Sequence, residues 1–357
     1  IIKDLFKAEE ALDIEFNPNL KIILSAKLIN NSFINNFDNN NGRINYNGNL
    51  KNISRFRFSK IDNFDQFEPE IVFNNDNLIF FDNKGSILKF NNSSKLIWKK
   101  NYYSKPEKKL KPILFFANSK DILIVADNIA KYYALNINTG ELLWSKNNSA
   151  AFNSQVKVYR NMFFAIDFEN ILRCYSIKDG TELWKIKTEK TFINSQKKLS
   201  LVIVDNKVYF NNSIGDISAV DIESGNLIWQ IPTQSSEIYE DAFFLKTSDL
   251  IADNNSILFS NNKNEFFSLD INSGILNWKQ KINSNLKSTL VDNIIFAVSM
   301  EGFLIVIDNH SGNIIRITDI FRQFKKKKRS KIKPVGFIVG SENIYLTTDH
   351  GRLMIID

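Results

Sequence analysis

The sequence predicts an all-β protein, a single β-propeller of four-stranded blades, on three observations. Tryptophan recurs at near-regular intervals, each tryptophan closes the same short phrase, and the residues between phrases read as strands. The five tryptophans are Trp98, Trp144, Trp184, Trp229 and Trp278, separated by 46, 40, 45 and 49 residues. Units of this length made of four short strands are the mark of a propeller blade. One such sheet cannot bury both of its faces alone, so the units must pack on one another.

The phrase is clearest at Ala134-Leu135-Asn136-Ile137-Asn138-Thr139-Gly140-Glu141-Leu142-Leu143-Trp144. It recurs from Cys174 through Gly180 to Trp184, from Ala219 through Gly225 to Trp229, and from Ser268 through Gly274 to Trp278. Its order is a small residue, an apolar one, usually Asp or Asn, a few turn residues, Gly, and Trp four positions on. The Asp or Asn side chain is expected to accept turn amides, and the glycine to supply a positive φ. A wide, mostly apolar indole at a fixed strand position suits the wedge between neighbouring sheets.

Other copies are degraded but in phase. Near the start, Asp82 to Trp98 keeps the tryptophan and loosens the turn to Asn91-Asn92-Ser93-Ser94. Val306 to Gly312 keeps the turn and puts Arg316 in the tryptophan column. Thr348 to Asp357 stops after its third strand. Within the units, Val202 to Phe210 reads as a hairpin around Asp205-Asn206. Strict counting gives seven blades, and an eighth is arguable around Phe37 to Phe58. The last blade should borrow a strand from either 21–28 or 53–61, hiding an edge that an open ring would expose. Residues 1–53 are thus read as an N-terminal leader, with a closing strand or degenerate first blade, and 54–357 as the propeller.

Composition narrows the chemistry. A single cysteine, Cys174, excludes an internal disulfide framework and a cysteine-rich metal site. It shares a column with Ala134, Ala219 and Ser268, so it is expected to be an inert packed residue. His310 and His350, the two histidines, fall in turns with no serine or cysteine partner nearby in sequence. The formal net charge is +7, part of it in the run Lys325 to Lys331, expected to be an exposed connection. That run lacks the aromatic interleaving of a nucleic-acid surface, and no nucleic-acid partner is expected.

From about residue 54 to the end, the Asp-x-x-x-Gly-x-x-x-Trp unit resembles the repeats of the quinoprotein (PQQ-like) propeller superfamily. One branch of that superfamily contains quinone-dependent alcohol and sugar dehydrogenases. In its size and shortened repeats the chain is similar to the other branch, the B-subunit lipoproteins of the bacterial outer-membrane β-barrel assembly (Bam) machinery. That likeness implies eight blades, with seven as the alternative, and a non-enzymatic periplasmic scaffold at the inner leaflet of the outer membrane. No cofactor, metal or catalytic residue is then expected. The implied partners are the barrel-inserting subunit and unfolded outer-membrane proteins. Members are tethered through a lipidated N-terminal cysteine; this chain begins at Ile1, so the expectation is that an anchor has been lost from it. Matching on the flanking repeats puts the partner loops at Ile193 to Gln196 and Leu245 to Asp249. With the longer loop before the second, this nominates Ile193, Gln196, Tyr239, Phe243, Lys246 and Asp249. A quinone-dependent dehydrogenase and an extracytoplasmic ligand-binding propeller are the alternatives.

Overall fold

A computed structural model describes residues 14–24, 56, 70–74, 77–189, 197–233 and 246–357. They fall in two compact units, one holding residues 56–233 and the other 246–357 with 14–24.

The first unit contains four antiparallel sheets, each a meander in chain order. Sheet I is β1 (Val72–Asn74), β2 (Asn77–Phe81), β3 (Ile87–Phe90) and β4 (Leu96–Lys100), followed by a short helix α1 (Lys105–Lys109). Sheet II is β5 (Leu114–Ser119), β6 (Ile122–Asp127), β7 (Lys131–Asn136) and β8 (Leu142–Asn147). Sheet III is β9 (Lys157–Tyr159), β10 (Met162–Ile166), β11 (Ile171–Ser176) and β12 (Glu182–Lys187). Sheet IV is β13 (Leu201–Val204), β14 (Lys207–Asn211), β15 (Ile217–Asp221) and β16 (Leu227–Ile231). The hairpin expected at Asp205-Asn206 joins β13 to β14, with Asp205 at φ 53°.

The second unit continues the pattern. Sheet V is β17 (Ile251–Ala252), β18 (Ser256–Asn261), β19 (Glu265–Asp270) and β20 (Leu276–Gln280). Sheet VI is β21 (Thr289–Val291), β22 (Ile294–Val298), β23 (Phe303–Asp308) and β24 (Ile314–Asp319). A second short helix, α2 (Lys326–Arg329), leads to the three-stranded sheet VII, β25 (Pro334–Val339), β26 (Ile344–Thr348) and β27 (Leu353–Ile356).

Burial explains the strand composition. The middle strands are covered on both faces, so they are near-continuous apolar runs, as in Leu123 to Ala126 and Phe163 to Ile166, all fully buried. The fourth strands are sheet edges and much more exposed, with Leu142 and Leu143 both exposed. In sheets I to VI the pairing of third and fourth strands slips by one residue at the same column. In sheet II, Ala134 faces Trp144 and Leu135 faces Leu142, so Leu143 is an unpaired bulge. A bulge of this kind bends the strand and redirects the following side chain. That side chain is the tryptophan.

Redirected in this way, the indole lands on the turn of the next sheet. A methyl group added to Gly140 would lie 2.9 Å from the Trp98 ring, one on Gly180 2.6 Å from Trp144, one on Gly225 2.7 Å from Trp184, and one on Gly312 2.6 Å from Trp278. The turn glycines have φ between 68° and 73°. Positive φ and the approaching ring therefore both require glycine. The indole Nε1 of Trp144 donates to Ile177 O, that of Trp184 to Ile222 O and that of Trp278 to Asn309 O, at 2.8–2.9 Å. Trp229 and Gly274 occupy the same columns in sheets IV and V.

The turns behave as their residues predict. Asn136 accepts the amides of Asn138 and Thr139, and Asp221, Asp270 and Asp308 each accept both the amide and the hydroxyl of the serine three residues on. In sheet I the corresponding turn, expected to be loosened, is one residue shorter, and Ser94 takes the positive φ of 62°. Cys174 is fully buried opposite Trp184, and burial pushes its thiol up to about 12. His310 and His350 stand exposed in turns.

The closing strand differs from its expectation where it is described. Residues 21–24, the described part of the first candidate, form no ladder with β27; Phe16 instead pairs with Ile317 of β24. Ile22 and Leu24 pack on the core shared by sheets VI and VII, whose side chains offer apolar cover rather than a ladder. Residues 25–28, and 53–61 apart from Phe56, lie outside the described residues.

Candidate interaction surface at the connection end of the sheets

In a four-stranded meander the turn between second and third strands lies at the end from which the chain leaves for the next sheet. Backbone contacts stitch this end together in the second unit. Thr247 and Asn283 both pair with Asn261, Met300 N donates to Asn283 O, Ile320 N to Gly302 O, and Asp349 N to Lys333 O.

Two of the six nominated partner residues lie in this surface. Lys246 has an exposed side chain, while its amide donates to Asn262 Oδ1 at 2.9 Å. Asp249 is half-buried. The segment expected to be a free loop is instead an inward extension of β17: Thr247 bridges Asn261, and Ser248 N donates to Ser260 O at 2.7 Å. Ser248 Oγ completes the irregular ladder by accepting Ser260 N, just as Ser154 Oγ accepts Ile166 N in sheet III. Ile193, Gln196, Tyr239 and Phe243 lie outside the described residues.

The same end of the first unit is rich in buried polar groups. A column of Asp or Asn closes each turn between second and third strands by accepting the amides two and four residues on. Asp82, Asp127, Asp167 and Asn212 do so at 2.8–3.2 Å. Two of the carboxylates bear more. Tyr103 Oη donates to Asp127 Oδ2 at 2.6 Å; burial nevertheless raises Asp127 to about 6. Arg173 is clamped by Asp167 at 2.8 Å, Glu182 at 2.5 Å and Ser149 Oγ at 3.1 Å. Glu70, ahead of β1, pairs with Lys198, ahead of the inner strand of sheet IV, at 2.9 Å, and also accepts Phe116 N.

Asp127 and Asp167 are fully buried, and Arg173 is 4% exposed. These clusters hold turns and sheets together. Among the described residues no group of three His, Cys, Asp or Glu side chains is placed to share a metal ion.

Sequence reasoning missed Lys89. It stands in the small-residue column opposite Trp98, is 3% exposed, and donates Nζ to Ile137 O at 3.0 Å and to Asn74 Oδ1 at 3.1 Å. Ile137 O is the counterpart, in the next sheet's turn, of the carbonyls that accept the indole N–H of Trp144, Trp184 and Trp278. Trp98 Nε1 is accordingly buried without a partner. A lysine in a column otherwise filled by Ala, Cys and Ser was the available signal. The tryptophan column also changes where the sequence indicated: Arg316 faces Val306 and donates to Leu20 O and Thr318 Oγ1. Beside it an apolar cleft of about 300 Å³ opens, lined by Leu24, Val306, Ile344 and Ile356 among others.

Successive four-stranded meanders wedged by an indole on a glycine turn define a multi-blade β-propeller built from PQQ-like repeats. The chain belongs to the family described as outer membrane protein assembly factor BamB, whose model matches residues 83–318. No curated protein sequence matches it. Among solved structures it is similar to BamB from Moraxella catarrhalis, at 13% identity with a TM-score of 0.62, covering 80% of this chain and 86% of that one. It is likewise similar to the computationally designed Ika8 protein, at 14% identity and TM-score 0.53, covering 80% and 94%. A quinohemoprotein alcohol dehydrogenase from Comamonas testosteroni aligns at 14% identity and TM-score 0.45, over 57% of this chain and 42% of that one. At these identities the likenesses concern the fold.

Proposed function

We propose that the protein is a non-enzymatic scaffold in the assembly of outer-membrane β-barrel proteins, working on the periplasmic face of that membrane. The observation that carries this reading is the family match across residues 83–318. The whole of 54–357 would act as one propeller, with 1–53 as its leader. The working surface would be the connection end of the second unit, where Lys246 and Asp249 lie, facing the barrel-inserting subunit; Ile193, Gln196, Tyr239 and Phe243 are proposed as further partner residues on the family resemblance alone. Connections on a rigid scaffold commonly carry binding residues. The deep burial of the acid, arginine and tyrosine groups at this end agrees with a surface that binds and does no chemistry.

Retention of the barrel-inserting subunit from detergent-solubilised envelope tests the reading. The wild-type chain should retain it, and Lys246→Glu and Asp249→Arg should each weaken retention about ten-fold, the cost of one good interfacial contact. Lys246 is exposed, so its reversal leaves the fold intact and separates lost binding from lost structure. Undiminished retention by both variants would refute the placement of the surface. Saturable quinone binding with dye-linked alcohol oxidation would refute the scaffold reading itself.

A further inference from the structure

The connection between sheets VI and VII carries charge of a kind found nowhere else in the chain. Residues 322–333 contain eight Lys or Arg and no Asp or Glu; of the 46 cations in the chain, the 38 elsewhere face 39 acids. The entire net positive charge of the protein therefore resides in one connection. This connection is built as a platform. Phe321 and Ile332 bury its two ends, at 0% and 2% exposure. Arg329 pins its middle, donating to Phe324 O and Arg322 O at 2.7 Å and pairing with Asp319. The Phe324 ring carries two cations, Lys328 Nζ 5.4 Å from its centroid and the Arg352 guanidinium 5.0 Å from it.

Around it the carboxylates are already engaged. Asp319 is held by Arg329, Glu15 lies 3.8 Å from Arg322, and Asp349 accepts the Lys333 amide at 3.0 Å. Lys325, Lys327, Lys328 and Lys331 are exposed, and among the described residues none of them forms an ion pair with a carboxylate. We infer that residues 322–333 form a docking surface for an anionic phospholipid bilayer. Lysine is a strongly hydrated point charge, and it is depleted in shaped protein interfaces. Four to eight such cations in one short stretch match the smeared negative charge of lipid headgroups, each strengthening attachment about five-fold. Because the platform is already ordered, little entropy is lost on contact. It lies at the same end of the second unit as Lys246, so lipid and partner would be met on one side.

Vesicle co-sedimentation of the purified 357-residue chain tests this apart from any role in barrel assembly. Vesicles of phosphatidylethanolamine with phosphatidylglycerol should retain the chain, and vesicles of phosphatidylcholine alone should not. Retention should vanish in about 1 M salt, where the screening length falls to about 3 Å. The triple variant Lys325→Gln, Lys327→Gln and Lys328→Gln should lose about 100-fold in partitioning, with an unchanged circular dichroism spectrum. Neutralising Lys95, Lys120 and Lys178 instead should change little. Equal retention on both vesicle types, or by the triple variant, would overturn the inference. So would displacement by soluble polyglutamate or duplex DNA at an equal concentration of negative charge, since the surface would then prefer an acidic chain or a nucleic acid.

Discussion

Gly180 and Lys89 show how much one residue decides in this repeat. Gly180 has φ 68°, and a methyl group there would meet the Trp144 ring at 2.6 Å. Gly180→Ala should therefore cost about 2 kcal/mol or more, combining backbone strain with a displaced indole. Thermal unfolding would measure it; an unchanged midpoint would show that the wedge yields. Two buried cations make a sharper contrast. Arg173→Ala leaves Asp167 fully buried without its principal partner and should cost about 3–5 kcal/mol. Lys89→Met keeps the aliphatic length, removes a desolvated ammonium and frees Ile137 O for the orphaned Trp98 Nε1. Its cost should stay under about 1 kcal/mol. Chemical denaturation of both variants checks the pair, and equal losses would mean that the Lys89 contacts matter as much as those of Arg173.

The element scale is where the sequence spoke most clearly. A glycine followed four residues later by tryptophan encodes a turn, a bulge and an aimed side chain; the turn and the bulge are present in sheets II to V, and the aimed indole is seen in sheets II, III and V. The second turn column was not legible. Asp82, Asp127, Asp167 and Asn212 accept the same pair of amides, yet the intervening residues vary and glycine recurs in only some copies. Within that column Asp127 is exceptional because burial raises its carboxyl to about 6. A raised folded-state value means the native state binds the proton more tightly, so this group makes stability fall as pH rises from about 4 to about 6. Asn212 performs the same task without a charge. Asp127→Asn should keep the turn, raise stability by about 1–3 kcal/mol above pH 7, and flatten the pH dependence between 4 and 6. Unfolding midpoints across that range would measure it, and a destabilised variant with an unchanged pH profile would contradict the assignment. The opposite shift at Asp308, lowered by the Ser311 amide and hydroxyl, acts only in more acid solution, where protonation loses its contribution.

At the scale of the molecule, the fold was legible because every unit repeats the same solution, so four good copies sufficed to fix the phase of the others. The proposed interaction surface was not. Partner loops break the repeat by definition, and the segment around Lys246 and Asp249 proved to be an extension of a strand, held by Ser248 where a ladder bond is missing. Charge gave a better guide at this scale: the basic run was visible, although its ordering by Arg329, Phe321 and Ile332 depends on contacts that no local pattern reveals. The central claim is that the connection end of the sheets, and not the opposite end, receives the barrel-inserting subunit. Site-specific photo-crosslinking in the cell envelope tests it most directly, with the crosslinking residue placed at exposed Lys246 or at exposed Ser311 in a turn of the opposite end of sheet VI. Capture of the barrel-inserting subunit from position 246 and none from 311 is the predicted result; capture from 311 alone would contradict the account.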